Sequence, residues 1–174
     1  MAMRDMILPE FDQEMANTRK MLERIPEDRY HYQPHPKSWQ TTRLAGHVAD
    51  IPGWGTHVMQ TEVLELKPDD LKPFEPTTRQ ELLDKFDQCT REAHDSIAAA
   101  TDEQLNAIWS MRYEGKTIMT MPRVAVLRSV ILNHLIHHRA QLGVYLRLMD
   151  VSVPGMYGPS ADEMPFAPTA DKAA

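Results

Sequence analysis

The sequence predicts an all-α fold, an antiparallel four-helix bundle with a small irregular hairpin or loop before the last helix, on three observations. Four long stretches repeat apolar residues at steps of three and four, the period of an amphipathic helix. Connections of modest length, mostly proline-rich, separate them, and short connections make consecutive helices antiparallel neighbours. The one stretch that alternates instead, IWSMRYEGKTIMTM, is brief and carries a turn signal at Glu114-Gly115.

The first helix is expected over residues 3–24. Ile7, Phe11, Met15, Thr18 and Leu22 form its apolar stripe, Arg19, Lys20, Glu23 and Arg24 its solvated face, and Ile25-Pro26 ends it. The segment PEDRYHYQPHPKS has no periodicity and reads as a loop, which places His31 and His35 in solvent or at a cap. A second helix is expected from Thr41 or Thr42 to about Leu66, with Leu44, His47, Ile51, Trp54, Val58 and Thr61 on its inner stripe. Pro52 removes a hydrogen bond from the Val48 carbonyl, so a kink is expected just beyond His47. After the connection KPDDLKPFEP, Thr78 and Glu81 resemble a capping box, opening a third helix to about Ala100. Its stripe is Leu82, Phe86, Cys89, Ala93 and Ile97, which makes Cys89 a small core residue rather than a reactive thiol; His94 lies beside the stripe. In the alternating stretch, Trp109, Met111 and Tyr113 share one side.

Residues 121–150 form the last and most informative helix. Pro122 suits a first helical position, where its missing N–H has no intrahelical partner. Leu127, Ile131, Leu142, Tyr145 and Met149 make the stripe, and His134 and His138 complete it. Residues four apart lie about 40° apart around the axis and about 6 Å apart along it, so these two imidazoles can converge on one ion. A histidine on an apolar stripe is also read as a hydrogen-bonded core residue, but burying several such rings requires partners for every ring nitrogen. Leu135 follows His134 where a zinc-protease helix has glutamate, so that motif is excluded. In a bundle, His47 meets His134 and His138 from the facing helix. Three neutral imidazoles hold a divalent ion such as zinc or nickel and leave a coordination position open. Asp50, one turn from His47, is a candidate base or supporting group. Tyr157 is a candidate to fold back over the metal, with packing of the chain end as its other role. His137 faces elsewhere and replaces a ligand only if the helical phase is off by one residue.

Composition narrows the function classes. At 174 residues the chain is expected to be a single domain over residues 1–165, followed by a disordered tail at 166–174 rich in alanine and proline. One cysteine excludes an internal disulfide and a cysteine-rich zinc site. A formal charge of −6, from 19 basic and 25 acidic residues, opposes a nucleic-acid footprint. No apolar run approaches the ~20 residues of a membrane span, and the N-terminal residues have no signal-peptide profile, so no membrane partner and a cytoplasmic location are expected.

The combination LAGHVADIPGW, NHLIHHRAQLGVYLRL and VPGMYGPSADE resembles the DinB family, damage-inducible helical-bundle proteins related to mycothiol-dependent maleylpyruvate isomerase and bacillithiol transferases. The likeness spans roughly residues 5–165. It implies a DinB-like four-helix bundle, a homodimer, and a divalent metal held by three histidines, which fall on His47, His134 and His138. It further implies that Asn133, Arg139 and Gln141 belong to the helix signature as supporting residues. The function it implies is thiol-dependent: an S-transferase or isomerase in which a low-molecular-weight thiol serves as cosubstrate to a small-molecule electrophile. A non-catalytic metal-binding stress protein and a metal-assisted hydrolase are the alternatives.

Overall fold

A computed structural model describes residues 2–164, so the expected tail at 166–174 lies outside the described residues. Three long α-helices come first: α1 (Met3–Glu23), α2 (Thr41–Gln60) and α3 (Arg79–Ala98). Strand β1 (Val63–Leu66) lies between α2 and α3. A short helix, α4 (Asp102–Asn106), precedes strands β2 (Ile108–Tyr113) and β3 (Lys116–Pro122). A helical run then closes the fold as α5 (Arg123–Val126), a π-helical segment (Leu127–Leu132) and α6 (Asn133–Leu148). Helix α3 packs on α1 and α2, and α6 packs on α1 and α2.

The expected stripes are the ones that pack. Ile7, Phe11, Met15, Thr18 and Leu22 of α1 are buried, as are Leu82, Phe86, Cys89, Ala93 and Ile97 of α3. Thr78 Oγ1 accepts the Glu81 N–H at 3.1 Å, while the Glu81 carboxylate reaches one residue further back and accepts the Thr77 N–H at 2.8 Å. The hydrogen bonds that the carboxylate accepts from the Thr77 N–H and, at 3.0 Å, the Thr77 hydroxyl hold the Glu81 carboxyl below its ordinary range.

The all-α expectation is corrected by a three-stranded mixed sheet of order β1-β2-β3. The β2–β3 hairpin falls on the alternating stretch where a small irregular hairpin is expected, with a register shift at Met111/Arg112. Its turn holds Glu114 at φ 46° and Gly115 at φ 78°, the left-handed region that Gly adopts at no steric cost. The third strand comes from residues assigned to the end of the second helix. Val63–Leu66 pairs in parallel with Ser110–Tyr113, and helix α2 stops at Gln60. Arg123 explains the stop: its buried guanidinium donates to the Val58 carbonyl at 2.8 Å and the Thr61 carbonyl at 2.9 Å, satisfying groups that the helix end leaves without partners. Trp109, fully buried, donates its indole N–H to Thr61 Oγ1 at 3.2 Å and pins the sheet there.

Within α2 the helix continues through Pro52. Next to His47, Gly46 is required for a different reason. A Cβ at this position would lie 1.8 Å from the Phe74 carbonyl oxygen, so the connection before α3 can lie against α2 only where no side chain intervenes. Buried Thr42 holds the same connection by donating to the Pro76 carbonyl at 2.9 Å. Gly46→Ala is expected to destabilise the protein by about 1–3 kcal/mol, the usual range for overpacking against a fixed backbone. Urea unfolding checks this, and an unchanged midpoint would refute the close approach.

Candidate metal centre

His47 from α2 and His134 and His138 from α6 meet at one point. The His47 and His134 Nε2 atoms are 3.3 Å apart, and those of His134 and His138 are 2.9 Å apart. One ligand atom from each residue falls within 4.8 Å of the others. Zinc–nitrogen bonds of about 2.0–2.1 Å in a tetrahedral arrangement set neighbouring nitrogens about 3.3 Å apart. The first separation equals that value and the second falls somewhat below it. Among the described residues no carboxylate or thiol joins the cluster. The donor set is therefore three imidazoles, which suits a divalent transition-metal ion and leaves room for another ligand.

The spacing of His134 and His138 follows from regular helix geometry, because both lie in α6 just past the π-helical segment. That segment is a departure from the uninterrupted helix expected. The Asn133 N–H donates to the Arg128 carbonyl, five residues back, so one extra residue is accommodated in the turn before His134.

Supporting groups fix the rings. The His138 Nδ1–H donates to Gln141 Oε1 at 2.7 Å, which leaves Nε2 with its lone pair toward the cluster. Trp39 stacks on His138, with centroids 5.7 Å apart and planes 17° apart, and meets His47 edge-on at 5.4 Å. Its carbonyl accepts the Tyr145 hydroxyl at 3.1 Å, so the loop carrying Trp39 is tied to α6. Sequence reasoning missed Trp39. The one signal for it was an aromatic residue two positions before a helix that carries a stripe histidine.

The other candidates fall in different places. Asp50 lies on the α2 side of the site but is engaged by Lys85 at 2.9 Å. Burial works to lower the Lys85 amine, and the hydrogen bond and charge of Asp50, with Cys89 adding to them, outweigh it and hold the amine above the ordinary lysine range. Asn133 is exposed and makes no side-chain hydrogen bond among the described residues. Arg139 and Tyr157 join a different structure: buried Arg139 pairs with buried Glu14 of α1 at 2.6 Å. The Tyr157 hydroxyl accepts from Arg139 at 2.6 Å and donates to Glu14 at 2.8 Å. This network binds the segment after α6 to α1. His137 is exposed and outside the cluster, its ring 4.8 Å from that of His138.

All three clustered histidines are held below the ordinary histidine range. Burial is the main cause for His47, which is pushed down to about 4, with repulsion from His138 and His134 adding to it. Burial also lowers His134 and His138; a hydrogen bond to the Val130 carbonyl partly offsets this for His134, and the bond to Gln141 does so for His138. Unfolded, a histidine titrates near the ordinary value of about 6.5. Between about 6.5 and the lower folded value, the unfolded chain binds more protons, so stability rises with pH there. The contribution is complete above about pH 6.5 and drains as pH falls toward about 4. The metal-free protein is expected to lose urea stability over that window, and His47→Gln to flatten the loss. A parallel pH profile for the variant would refute the assignment.

A cavity of about 440 Å³ opens beside His47 and His134 and is lined by Trp39, Arg43, Asp50, Ile51, Trp54, Phe74 and Met111 among others. Met111 comes from β2, so the sheet supplies part of the wall. Among the described residues no helix is long and apolar enough to cross a membrane.

Comparison with known proteins gives a consistent result. The "Uncharacterized protein YrdA" of Bacillus subtilis strain 168 is 24% identical over 164 residues, 91% of this chain and 90% of that protein. A DinB-like protein from Bacillus cereus ATCC 10987 superposes with a TM-score of 0.65 at 24% identity, covering 86% of this chain and 95% of the other. The DinB-like protein YjoA from Bacillus subtilis does so with a TM-score of 0.66 at 22% identity, covering 91% and 98%. These likenesses show the fold. The profile of the DinB family itself matches residues 3–171, nearly the whole sequence, and the chain therefore belongs to the DinB family.

Proposed function

We propose that the protein is a metalloenzyme in which His47, His134 and His138 hold a divalent ion, zinc or nickel, for thiol-dependent transfer or isomerisation of a small molecule. The observation that carries this reading is the convergence of three ring nitrogens with, among the described residues, no carboxylate or thiol in the cluster, beside a cavity. When bound, such a cation lowers the pKa of a thiol or water that reaches its open position. The chain's own residues do the rest. Gln141 holds the His138 proton on Nδ1, Trp39 covers His138 and His47, and the depressed histidines stay neutral and able to donate lone pairs at neutral pH. Metal-assisted hydrolysis is less well supported, because the nearby carboxylate, Asp50, is engaged by Lys85 rather than available as a base. The homodimer implied by the resemblance belongs to this reading, with exposed Val144 and Leu148 of α6 as apolar surface for it. So does a cytoplasmic location, which suits a chain whose single cysteine, Cys89, is free and buried.

Cobalt substitution followed by addition of low-molecular-weight thiols tests the reading. A thiol that enters the coordination sphere is expected to produce sulfur-to-cobalt charge-transfer absorption, absent in His134→Ala. A cobalt-loaded protein whose spectrum no thiol changes would leave a metal-binding protein without this chemistry.

A further inference from the structure

The cavity beside His47 and His134 has two unlike surfaces. Trp54, Phe74 and Met111 give it an apolar wall, and its volume of about 440 Å³ falls within the about 300–1,000 Å³ of small-molecule sites. Charge is distributed unevenly on the rest. Asp50 is paired with Lys85 at 2.9 Å, and Asp70 accepts the Lys67 backbone N–H at 2.9 Å. Lys72 faces Asp69 at 3.7 Å. Arg43, one helical turn before His47, has no carboxylate partner among the described residues; its guanidinium lies 4.9 Å from the centre of the Trp39 ring. Arginine left in this state is suited to bidentate recognition of a carboxylate. The histidine cluster acts in the same direction, since three neutral ligands leave both charges of a divalent ion uncompensated.

We propose that this cavity binds a small amphipathic carboxylate, with an aromatic or branched apolar body against Trp54, Phe74 and Met111 and its anionic end toward Arg43 and the histidine cluster. The proposal deepens the metalloenzyme reading, and its electrostatic half rests partly on it. The body is selected mainly by area and shape, because Phe74 and Met111 offer it no strong hydrogen bond and Trp54 only an indole N–H. The head is selected by charge: a neutral amide of the same shape leaves Arg43 without an anion and gains nothing from the metal.

Calorimetric titration of the zinc-reconstituted full chain with 4-phenylbutyrate and with 4-phenylbutyramide tests this. The carboxylate is expected to bind saturably, one per chain, and about tenfold or more tighter than the amide. Arg43→Met, an exposed position where folding is not at risk, is expected to remove most of that preference. Val130 also lines the cavity, and Val130→Phe, which fills part of it, is expected to abolish binding of both probes. Metal content measured on the same samples separates the two readings. If a chain that carries no metal still prefers the carboxylate, and Arg43→Met removes the preference, the cavity assignment stands and the metal reading falls. If neither probe binds saturably, or both bind equally, the proposal is overturned whether or not metal is present.

Discussion

His134→Ala is expected to reduce divalent-metal affinity by more than about 100-fold, since loss of a group that merely supports a ligand already costs about 10–100-fold. His134 is the most consequential of the three because its Nε2 lies between those of the other two, at 3.3 Å from His47 and 2.9 Å from His138. His137→Ala is the matched control: it removes an imidazole from the same turn, but one outside the cluster. Its affinity is expected to stay within about threefold of the unaltered protein, a change well under 1 kcal/mol. Competition against a chelating dye, on protein that has never met a nickel column, measures both. Equal losses in the two variants would refute the three-histidine assignment, and would point to a helical phase one residue away.

Arg139→Met is expected to cost about 3–5 kcal/mol in urea unfolding, the range for removing one member of a buried ion pair. Glu14 and Arg139 have side chains only 5% and 3% exposed, so removing the guanidinium leaves a carboxylate with neither water nor a counter-charge. Arg139 also donates to the Glu14 backbone carbonyl at 3.0 Å and to Thr18 Oγ1 at 3.1 Å, and both acceptors lose that partner with it. Replacing both charges, as Glu14→Leu with Arg139→Met, is expected to recover most of the loss, because an apolar pair of similar volume avoids the desolvation penalty. Tyr157→Phe, which removes only the hydroxyl bridging the pair, is expected to cost about 1 kcal/mol. A loss below about 1 kcal/mol for Arg139→Met would show that water reaches the pair.

The residues around this network mark how far sequence alone reaches. Arg139 is next to His138 in sequence, and the family resemblance made it a supporting candidate for the metal. Successive helical residues point about 100° apart, so His138 faces α2 while Arg139 turns toward α1. Its partner Glu14 lay outside the α1 stripe as read, because a glutamate on an amphipathic helix looks solvated until its counter-charge, 125 residues away, is in place. Trp39 and Arg43 were silent for the same reason: their importance comes from a loop folding onto α6 and from a cavity that no single segment contains.

What the sequence determined by itself was whatever a 3.6-residue period records. The buried stripes of α1 and α3, the pairing of His134 with His138, and the place of His47 on the inner side of α2 all follow from local geometry, which four residues suffice to express. What the tertiary structure decided was every feature made by partners distant in the chain. Val63–Leu66 lacks a helical or strand period long enough to identify it, and becomes a strand only when β2 offers backbone groups to pair and Arg123 takes the carbonyls at the end of α2. A helix satisfies its hydrogen bonds within its own segment, so its pattern is written there; a strand satisfies them across the fold, so its identity resides in the neighbour.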